Sequence, residues 1–261
     1  MDARSLVGTH DILLVTLDTL RYDVAQQALE RGATPGFAAL LKDGWERRHT
    51  PGSFTYSAHH AFFAGFLPTP ARPGDHPRLF AAAFDGSVTT TEHTCVLDAA
   101  DLPTGLANRG YHTICIGGVG FFDKRTPLGS VLPAMFRESH WSTDLGVTHP
   151  RSTENQVALA IRRVDAVPGD QRVLLFVNVS ALHQPNCIFS GGTTDSPETM
   201  AAALAYVDRH IPRLIAHMRR RAPLLCILTS DHGTAYGEDG HTGHRRAHPV
   251  VWDVPYAELV L

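Results

Sequence analysis

Three apolar segments of this 261-residue sequence run directly into acidic or imidazole side chains. Asp18 follows DILLVTL, Asp231 and His232 follow LLCILTS, and His183 follows LLFVNVSAL. A buried strand end tolerates a charge poorly unless the charge is paired or binds a metal ion. Carboxylate and imidazole groups together are ligands of Zn²⁺ and Mn²⁺. The pattern predicts a divalent metal site, with helix capping as the alternative for any one of these acids taken alone.

The elements that must position these side chains alternate along the chain. Strand patterns occur in DILLVTL, HTICI, RVLLFVNVS and PLLCILT, and helix patterns in the segments between them. This alternation predicts an α/β fold with three α/β/α layers and a mostly parallel central sheet. Ligands bind beyond the carboxyl ends of the strands in such sheets, which is where the acids lie.

Local signals place several helix boundaries. Thr34 is predicted to cap a helix over 34–44, and Thr153 with Gln156 forms a predicted capping box. Ser196 is predicted to cap a long helix over 196–221 that Pro212 kinks. A further helix is expected from Ala58 to Pro68.

The remaining segments carry turn signals and no periodicity. Residues 69–78 and 117–151 are therefore predicted to run over the surface. No repeat or linker interrupts the sequence, so a single domain over 1–261 is the simplest organisation.

Composition excludes several function classes. The chain is 43% hydrophobic and 19% charged, as in globular proteins, and its net charge of −3 gives no general attraction to nucleic acid or anionic membranes. No apolar stretch of about 18 residues and no secretory pattern occurs. Cys115 and Cys226 lie in apolar strands and are predicted to be buried, reduced thiols. We expect a cytoplasmic protein that binds neither nucleic acid nor membrane, and its oligomeric state stays open.

Taken in order, the segments resemble the alkaline phosphatase superfamily, on its sulfatase and phosphoethanolamine-transferase branch. The SDHGTAYGEDGHTGH segment is the most specific match. The other matching segments are ILLVTLDTLRYD, TPGFAALLKDG, TYSAHHAFFAG, LANRGYHTICIG, LHQPN, AYVDRHIPRLI and VPYAELVL. The sequence stops soon after VPYAELVL, so the resemblance implies a short member without the usual C-terminal subdomain.

The resemblance implies a threonine nucleophile. Counting back from Gly65 places Thr55 where sulfatases carry the cysteine that becomes formylglycine, and no cysteine lies nearby. A formylglycine sulfatase is therefore disfavoured, and a metal-activated threonine hydroxyl is favoured. Ser57 and Ser53 are the alternatives.

The resemblance also implies the ligand set. One metal site would comprise Asp18, Thr55, Asp231 and His232, and the metal would be Zn²⁺ or Mn²⁺. His183 and His244 would bind a second metal or hold the phosphate oxygens directly, with His244 favoured over His241. The residues expected to contact substrate are His59, His241, Arg245 and Ser57.

The function implied is the metal-dependent hydrolysis of a small anionic phosphate ester, either a mono- or a diester. The first alternative is a sulfuryl- or phosphoryl-group transferase of the same fold in small-molecule metabolism. The second alternative is a non-catalytic binding protein derived from the fold.

Overall fold

The computed structural model describes residues 2–65 and 100–261, together with the backbone of residues 80–81 and 95–96. The predicted surface loop at 69–78, the end of the helix predicted to reach Pro68, and the Cys95 side chain lie outside the described residues. The strands of the main sheet are β1 (Asp11–Leu17), β2 (Glu46–His49), β3 (His112–Ile116), β4 (Glu138–His140), β5 (Val173–Val179), β6 (Leu224–Thr229) and β7 (Asp253–Val260).

Helices flank this sheet along the described chain. They are α1 (Tyr22–Glu30), α2 (Pro35–Leu40), α3 (Thr55–Ala64), α4 (Leu102–Ala107), α5 (Pro127–Val131), α6 (Ser152–Asp165), α7 (Pro197–Asp208), α8 (Ile211–Arg221) and α9 (Pro249–Trp252). None of the helices formed by the described residues combines the length and the apolar character needed to cross a bilayer.

The seven strands form one mostly parallel sheet in the order β2-β7-β6-β1-β5-β3-β4. Strands β6, β1, β5, β3 and β4 run parallel to one another. Strand β7 runs antiparallel to both β6 and β2. The four predicted strands are therefore confirmed. Strand β2 carries four exposed residues, and its lack of apolar alternation explains why the sequence pattern missed it.

Two apolar cores cover the two faces of the sheet. Leu13, Val15 and Leu17 of β1 belong to one core, and Ile12 and Leu14 belong to the other. Successive side chains of a strand point to opposite faces, so β1 contributes to both layers. This arrangement confirms the three-layer α/β/α fold.

Several predicted helix boundaries are wrong. Helix α2 ends at Leu40, and its first N–H groups are capped by Asp208, which accepts from Gly36 N (2.8 Å) and Phe37 N (2.6 Å). The Thr34 side chain makes no capping hydrogen bond there. Helix α3 begins at Thr55, three residues before the predicted start at Ala58, and Gly65 follows it with a φ of 78°, in the left-handed region that glycine adopts most readily.

The capping predictions for α6 and α7 have opposite outcomes. Ser196 caps α7 as predicted, by accepting a hydrogen bond from Thr199 N at 3.3 Å. The Thr153 capping box is wrong, because the Gln156 amide instead donates to the carbonyl of Asn178 at 2.6 Å.

The predicted long helix over 196–221 is two helices. Helix α7 ends at Asp208, and Pro212 is the second residue of α8. A proline fits the first turn of a helix, where its missing N–H costs nothing, and breaks a helix that runs through it.

Residues 117–151 do not form the predicted surface excursion. Phe122, Leu132 and Phe136 are buried in the core that faces α3 and α4, and β4 extends the sheet at its edge. The segment alternates short helical turns with buried anchors, so it shows no regular apolar period.

Candidate active site

Two adjacent parallel strands bring the predicted metal ligands together. Asp18 follows β1, and Asp231 and His232 follow its neighbour β6. Each of the three side chains offers a ligand atom within 4.8 Å of the others, and all three are fully buried. Among the described residues this is the one such group of acids, histidines or cysteines.

One oxygen of this group has no hydrogen-bond partner. Asp231 Oδ1 accepts from the N–H groups of Thr19 (3.1 Å) and His232 (3.0 Å), whereas the buried Oδ2 accepts none. His232 donates from Nδ1 to the carbonyl of Gly233 at 2.8 Å, so its Nε2 carries a lone pair, 3.5 Å from Asp231 Oδ2. An orphaned carboxylate oxygen beside an oriented imidazole lone pair fits a bound divalent cation.

Asp18 is held as an anion by its neighbours. It accepts from the Thr19 hydroxyl at 2.7 Å and from the Asn178 amide at 2.9 Å. Burial by itself would raise the pKa of Asp18, but the imidazoles of His183 and His232 and these two hydrogen bonds outweigh burial and lower it. A permanently ionised carboxylate is therefore available to a cation.

Asp231 has the opposite perturbation. Burial and then the negative charge of Asp18 raise the pKa of Asp231 above its ordinary value. Two buried carboxylates in contact are unfavourable without a positive charge between them, which is a second physical reason to assign a cation to this position.

Thr55 lies beside this trio. It is the first residue of α3, it is buried, and its Oγ1 is 3.3 Å from His232 Nε2. The Ser57 hydroxyl donates to the Phe54 carbonyl at 2.9 Å and so completes the first turn of α3. Ser53 contributes its carbonyl, which accepts from Arg245 N at 2.8 Å. Of the three candidate nucleophiles, Thr55 is the one in hydrogen-bond contact with His232.

His183 and His244 lie on the solvent side of the trio. The His244 ring is 4.5 Å from that of His232 and 6.4 Å from that of His183, measured between ring centroids. His183 donates from Nδ1 to the carbonyl of Gln184 at 2.7 Å, which leaves its Nε2 for another ligand. Burial, followed by the neighbouring His232 and His183, lowers the pKa of His244 to about 4. His244 is thus neutral at pH 7.

The fold has counterparts among solved structures. The soluble domain of lipooligosaccharide phosphoethanolamine transferase A from Neisseria meningitidis aligns with a TM-score of 0.66 at 17% identity, covering 97% of this chain and 76% of that one. The periplasmic domain of EcEptC from Escherichia coli, in complex with Zn, aligns with a TM-score of 0.65 at 14% identity, covering 97% and 73%. The lipoteichoic acid synthase LtaP from Listeria monocytogenes aligns at 0.63 and 11%, covering 97% and 66%.

The chain has an alkaline-phosphatase-like fold. The resemblance seen in the sequence is thereby confirmed for the fold. No family model matches the sequence, and no curated protein matches it either. At these low identities, the activity of this alkaline-phosphatase-like chain must be argued from its own residues.

His59 is not placed for the predicted contact with substrate. It is fully buried, donates from Nδ1 to the Thr55 carbonyl at 2.7 Å, and its Nε2 is 3.0 Å from the Thr16 hydroxyl. The rings of Phe122 and Phe176 pack against it edge-on. Burial lowers the pKa of His59, so it is a neutral side chain that holds the first turn of α3 against β1.

His241 and Arg245 lie on the loop after Asp231. His241 is exposed, and its ring lies 6.4 Å from that of His248, whereas His244 is the histidine that packs on His232. Arg245 is also exposed, and its guanidinium carbon lies 5.1 Å above the Phe54 ring. Its φ of 70° is uncommon for a residue with a side chain.

The sequence reasoning missed three residues that position the site. Thr19 has a φ of 70° and contacts both metal-site carboxylates, and Asn178 holds Asp18 from the neighbouring strand β5. A polar residue inside the apolar segment LLFVNVS was an available signal for Asn178.

Arg21, which is 4% exposed, pairs with Glu238 on the loop that carries His244. No residue pattern near Arg21 or Glu238 in the sequence predicts that ion pair.

Proposed function

We propose that this protein is a metal-dependent phosphoric ester hydrolase with Thr55 as its nucleophile. The observation that carries the proposal is the position of the Thr55 hydroxyl, 3.3 Å from His232 Nε2, which itself lies 3.5 Å from the unpartnered oxygen of Asp231. The structural neighbours support it, because the Neisseria meningitidis domain described above belongs to a phosphoethanolamine transferase.

Asp18, Asp231 and His232 would hold the cation, with Thr55 as the fourth group. A divalent cation bound there supplies a positive charge that lowers the pKa of a neighbouring hydroxyl. Zn²⁺ and Mn²⁺ both accept this ligand set, and the Zn complex of EcEptC supports zinc.

Thr55 then attacks the phosphorus atom of the ester. Thr55 Oγ1 gives its proton to water and bonds to phosphorus as the bond from phosphorus to the alcohol oxygen breaks, and that oxygen takes a proton from water and leaves as the alcohol. A second water molecule then hydrolyses the phosphothreonine and releases the phosphate group. The amino-terminal end of α3 favours negative charge on Thr55. His59, bonded to the Thr55 carbonyl, fixes the position of that first turn.

His183 and His244 would neutralise charge on the phosphate oxygens. His244 is neutral, and His183 uses its Nδ1 proton in the hydrogen bond to the Gln184 carbonyl. Both rings therefore have a nitrogen that can face a second cation. The alternative is direct hydrogen bonding to the phosphate after protonation. Arg245 and Ser57 are retained as proposed substrate contacts at the rim of this site, and His241 as the alternative to His244.

The test is the removal of the nucleophile with Asp18, Asp231 and His232 left in place. We expect Thr55→Ala to lower phosphate release from an aryl phosphate by at least about 10³-fold, and Thr55→Ser to keep much of the activity. Elemental analysis should still find metal in Thr55→Ala, because the three other proposed ligands remain. A fully active Thr55→Ala variant would refute the proposed nucleophile.

A transferase is the second candidate function. The phosphoethanolamine transferases among the structural neighbours favour it, because in such a reaction an acceptor alcohol takes the place of water. Product analysis with and without added alcohols distinguishes the two reactions. Metal binding without any turnover would favour the non-catalytic alternative.

The cellular location, the domain organisation and the partner of the protein are also proposals. The free thiols of Cys115, Cys187 and Cys226 support a cytoplasmic location, since thiols stay reduced there. Several structural neighbours are periplasmic domains, so a periplasmic location is the competing hypothesis. One shared sheet supports a single domain over 1–261, and the proposed partner is a small anionic ester.

A further inference from the structure

A basic cleft adjoins the candidate active site. Its volume is about 330 Å³, its floor is formed by residues 50–53, and its walls include Arg245, Arg246 and Trp252. His49 also lines the cleft. Its ring stacks on that of Trp252, with ring centroids 5.4 Å apart and an interplanar angle of 22°. The proposed mechanism uses neither Arg246 nor Trp252.

The cleft is tied directly to the segments that carry the site. Arg245 N donates to the Ser53 carbonyl at 2.8 Å, which joins the loop after His244 to the segment before α3. Ser53 is two residues from Thr55, so their Cα atoms are at most about 7 Å apart. Arg245 directly follows His244 in the sequence. The cleft is therefore lined by the two segments that lead to Thr55 and follow His244.

The positive charges of the cleft are uncompensated. Across the parts of the chain that the structure describes, no ion pair involves Arg245 or Arg246, so neither guanidinium has a carboxylate partner. The left-handed backbone of Arg245 costs about 1 kcal/mol and places the two arginines beside the same cleft. Retained backbone strain of this kind occurs preferentially at functional sites.

We propose that this cleft binds a second anionic group of the substrate, a phosphate or a carboxylate on the alcohol part of the ester. The inference rests on the proposed function and narrows its substrate class to phosphate esters with a second negative charge. Guanidinium groups bind such oxyanions through paired, charge-assisted hydrogen bonds.

The test compares two esters that differ only in the second charge. Phosphate release from propane-1,3-diol bisphosphate and from propyl phosphate is measured with added Zn²⁺ or Mn²⁺, and the bisphosphate rate is halved for its two equivalent ends. We expect the wild type to prefer the bisphosphate about tenfold in kcat/KM, mainly through KM. We expect Arg246→Ala to lose most of this preference and to hydrolyse propyl phosphate like the wild type.

Arg219→Ala is the matched control. It removes the same charge from an exposed position at the end of α8, at the edge of the sheet opposite the site, and should keep the preference. If the wild type and Arg246→Ala both hydrolyse the two esters with equal kcat/KM, the proposed anion site in the cleft is refuted and the proposed function stands.

Failure of the wild type to hydrolyse either ester would refute the proposed function instead. The cleft is then judged by calorimetric titration with the bisphosphate alone. Weaker binding by Arg246→Ala than by Arg219→Ala would support an anion site, and equal binding by the two variants would overturn it.

Discussion

Replacing Asp231 by asparagine should stabilise the metal-free protein and remove its response to metal. The Asp18 and Asp231 carboxylates are fully buried and offer ligand atoms within 4.8 Å of each other. Two unit charges at that separation repel by about 3.5 kcal/mol at an effective dielectric constant of about 20. The raised pKa of Asp231 lets partial protonation relieve some of this repulsion, so we expect a gain of about 1–3 kcal/mol.

The local hydrogen bonds allow this substitution. An asparagine can keep its oxygen at the Oδ1 position, where it still accepts from the N–H groups of Thr19 and His232. Its amide nitrogen then replaces the unpartnered Oδ2, 3.5 Å from the His232 Nε2 lone pair. The variant therefore keeps the two backbone hydrogen bonds and removes the unpartnered carboxylate oxygen.

The assay is thermal unfolding of metal-stripped protein, with and without added Zn²⁺. For a chain of this size each 1 kcal/mol shifts Tm by about 2–4 °C, so Asp231→Asn should unfold about 2–12 °C above the wild type. Saturating Zn²⁺ at about 100 Kd stabilises the wild type by about 2.7 kcal/mol and should leave the variant nearly unchanged. Addition of Zn²⁺ should therefore reduce or reverse the difference in Tm between Asp231→Asn and the wild type.

Asp11→Asn is the matched control, because Asp11 is an equally buried aspartate that has a partner. Its Oδ2 pairs with Arg221 at 2.6 Å and its Oδ1 accepts from Val173 N at 2.9 Å. Breaking this buried pair should cost about 3 kcal/mol and leave the response to Zn²⁺ intact. If Asp231→Asn lowers Tm as Asp11→Asn does, or keeps the response to Zn²⁺, the reasoning is refuted.

The pH dependence has a definite sign. The folded state raises the pKa of Asp231, so this group favours folding while it is protonated and loses that contribution as the pH rises through its folded pKa. The advantage of Asp231→Asn should therefore be small near pH 4 and grow toward pH 8. A difference that does not change with pH would contradict the repulsion between the two carboxylates.

Two further predictions concern residues that position the site. His59→Ala should cost about 2–4 kcal/mol of unfolding free energy in urea, because it removes a fully buried ring bonded to the Thr55 carbonyl and near the Thr16 hydroxyl; unchanged stability would show that the ring is not packed. Glu238→Gln should lower Tm at pH 7, and the difference should shrink below about pH 4.5. Burial alone would raise the pKa of Glu238, but hydrogen bonds from Arg21 and a backbone N–H lower it, so its contribution is present above the ordinary pKa and lost as the pH falls. A difference unchanged at pH 4 would contradict this assignment.

Local patterns were sufficient for the sheet and the acids at its edge. Continuous apolar segments such as DILLVTL predict buried parallel strands, and the carboxyl ends of parallel strands meet at one edge whatever their order. That geometry is why Asp18, Asp231 and His232, far apart in the sequence, could be expected to meet. The structure indeed places their ligand atoms within 4.8 Å of one another.

Helix ends and the segment over 117–151 needed the tertiary structure. The cap of α2 comes from Asp208, which is 171 residues away from Phe37 in the sequence. A propensity for capping at Thr34 could not compete with a carboxylate supplied by another helix. Over 117–151, single buried anchors such as Phe122 do the packing, and isolated anchors leave no period to detect.

By itself, the sequence determined the fold class, because strand and helix patterns depend on residue types and on short-range order. It also indicated Asp18, Asp231 and His232 as candidate metal ligands. Only the tertiary structure decided that His59 is buried behind Thr55 and that Arg21 pairs with Glu238, 217 residues away. It also brought Arg245 and Arg246 to a cleft lined by residues 50–53, the segment before α3. These contacts are set by the packing of distant loops around one sheet edge, which leaves no periodicity in the sequence.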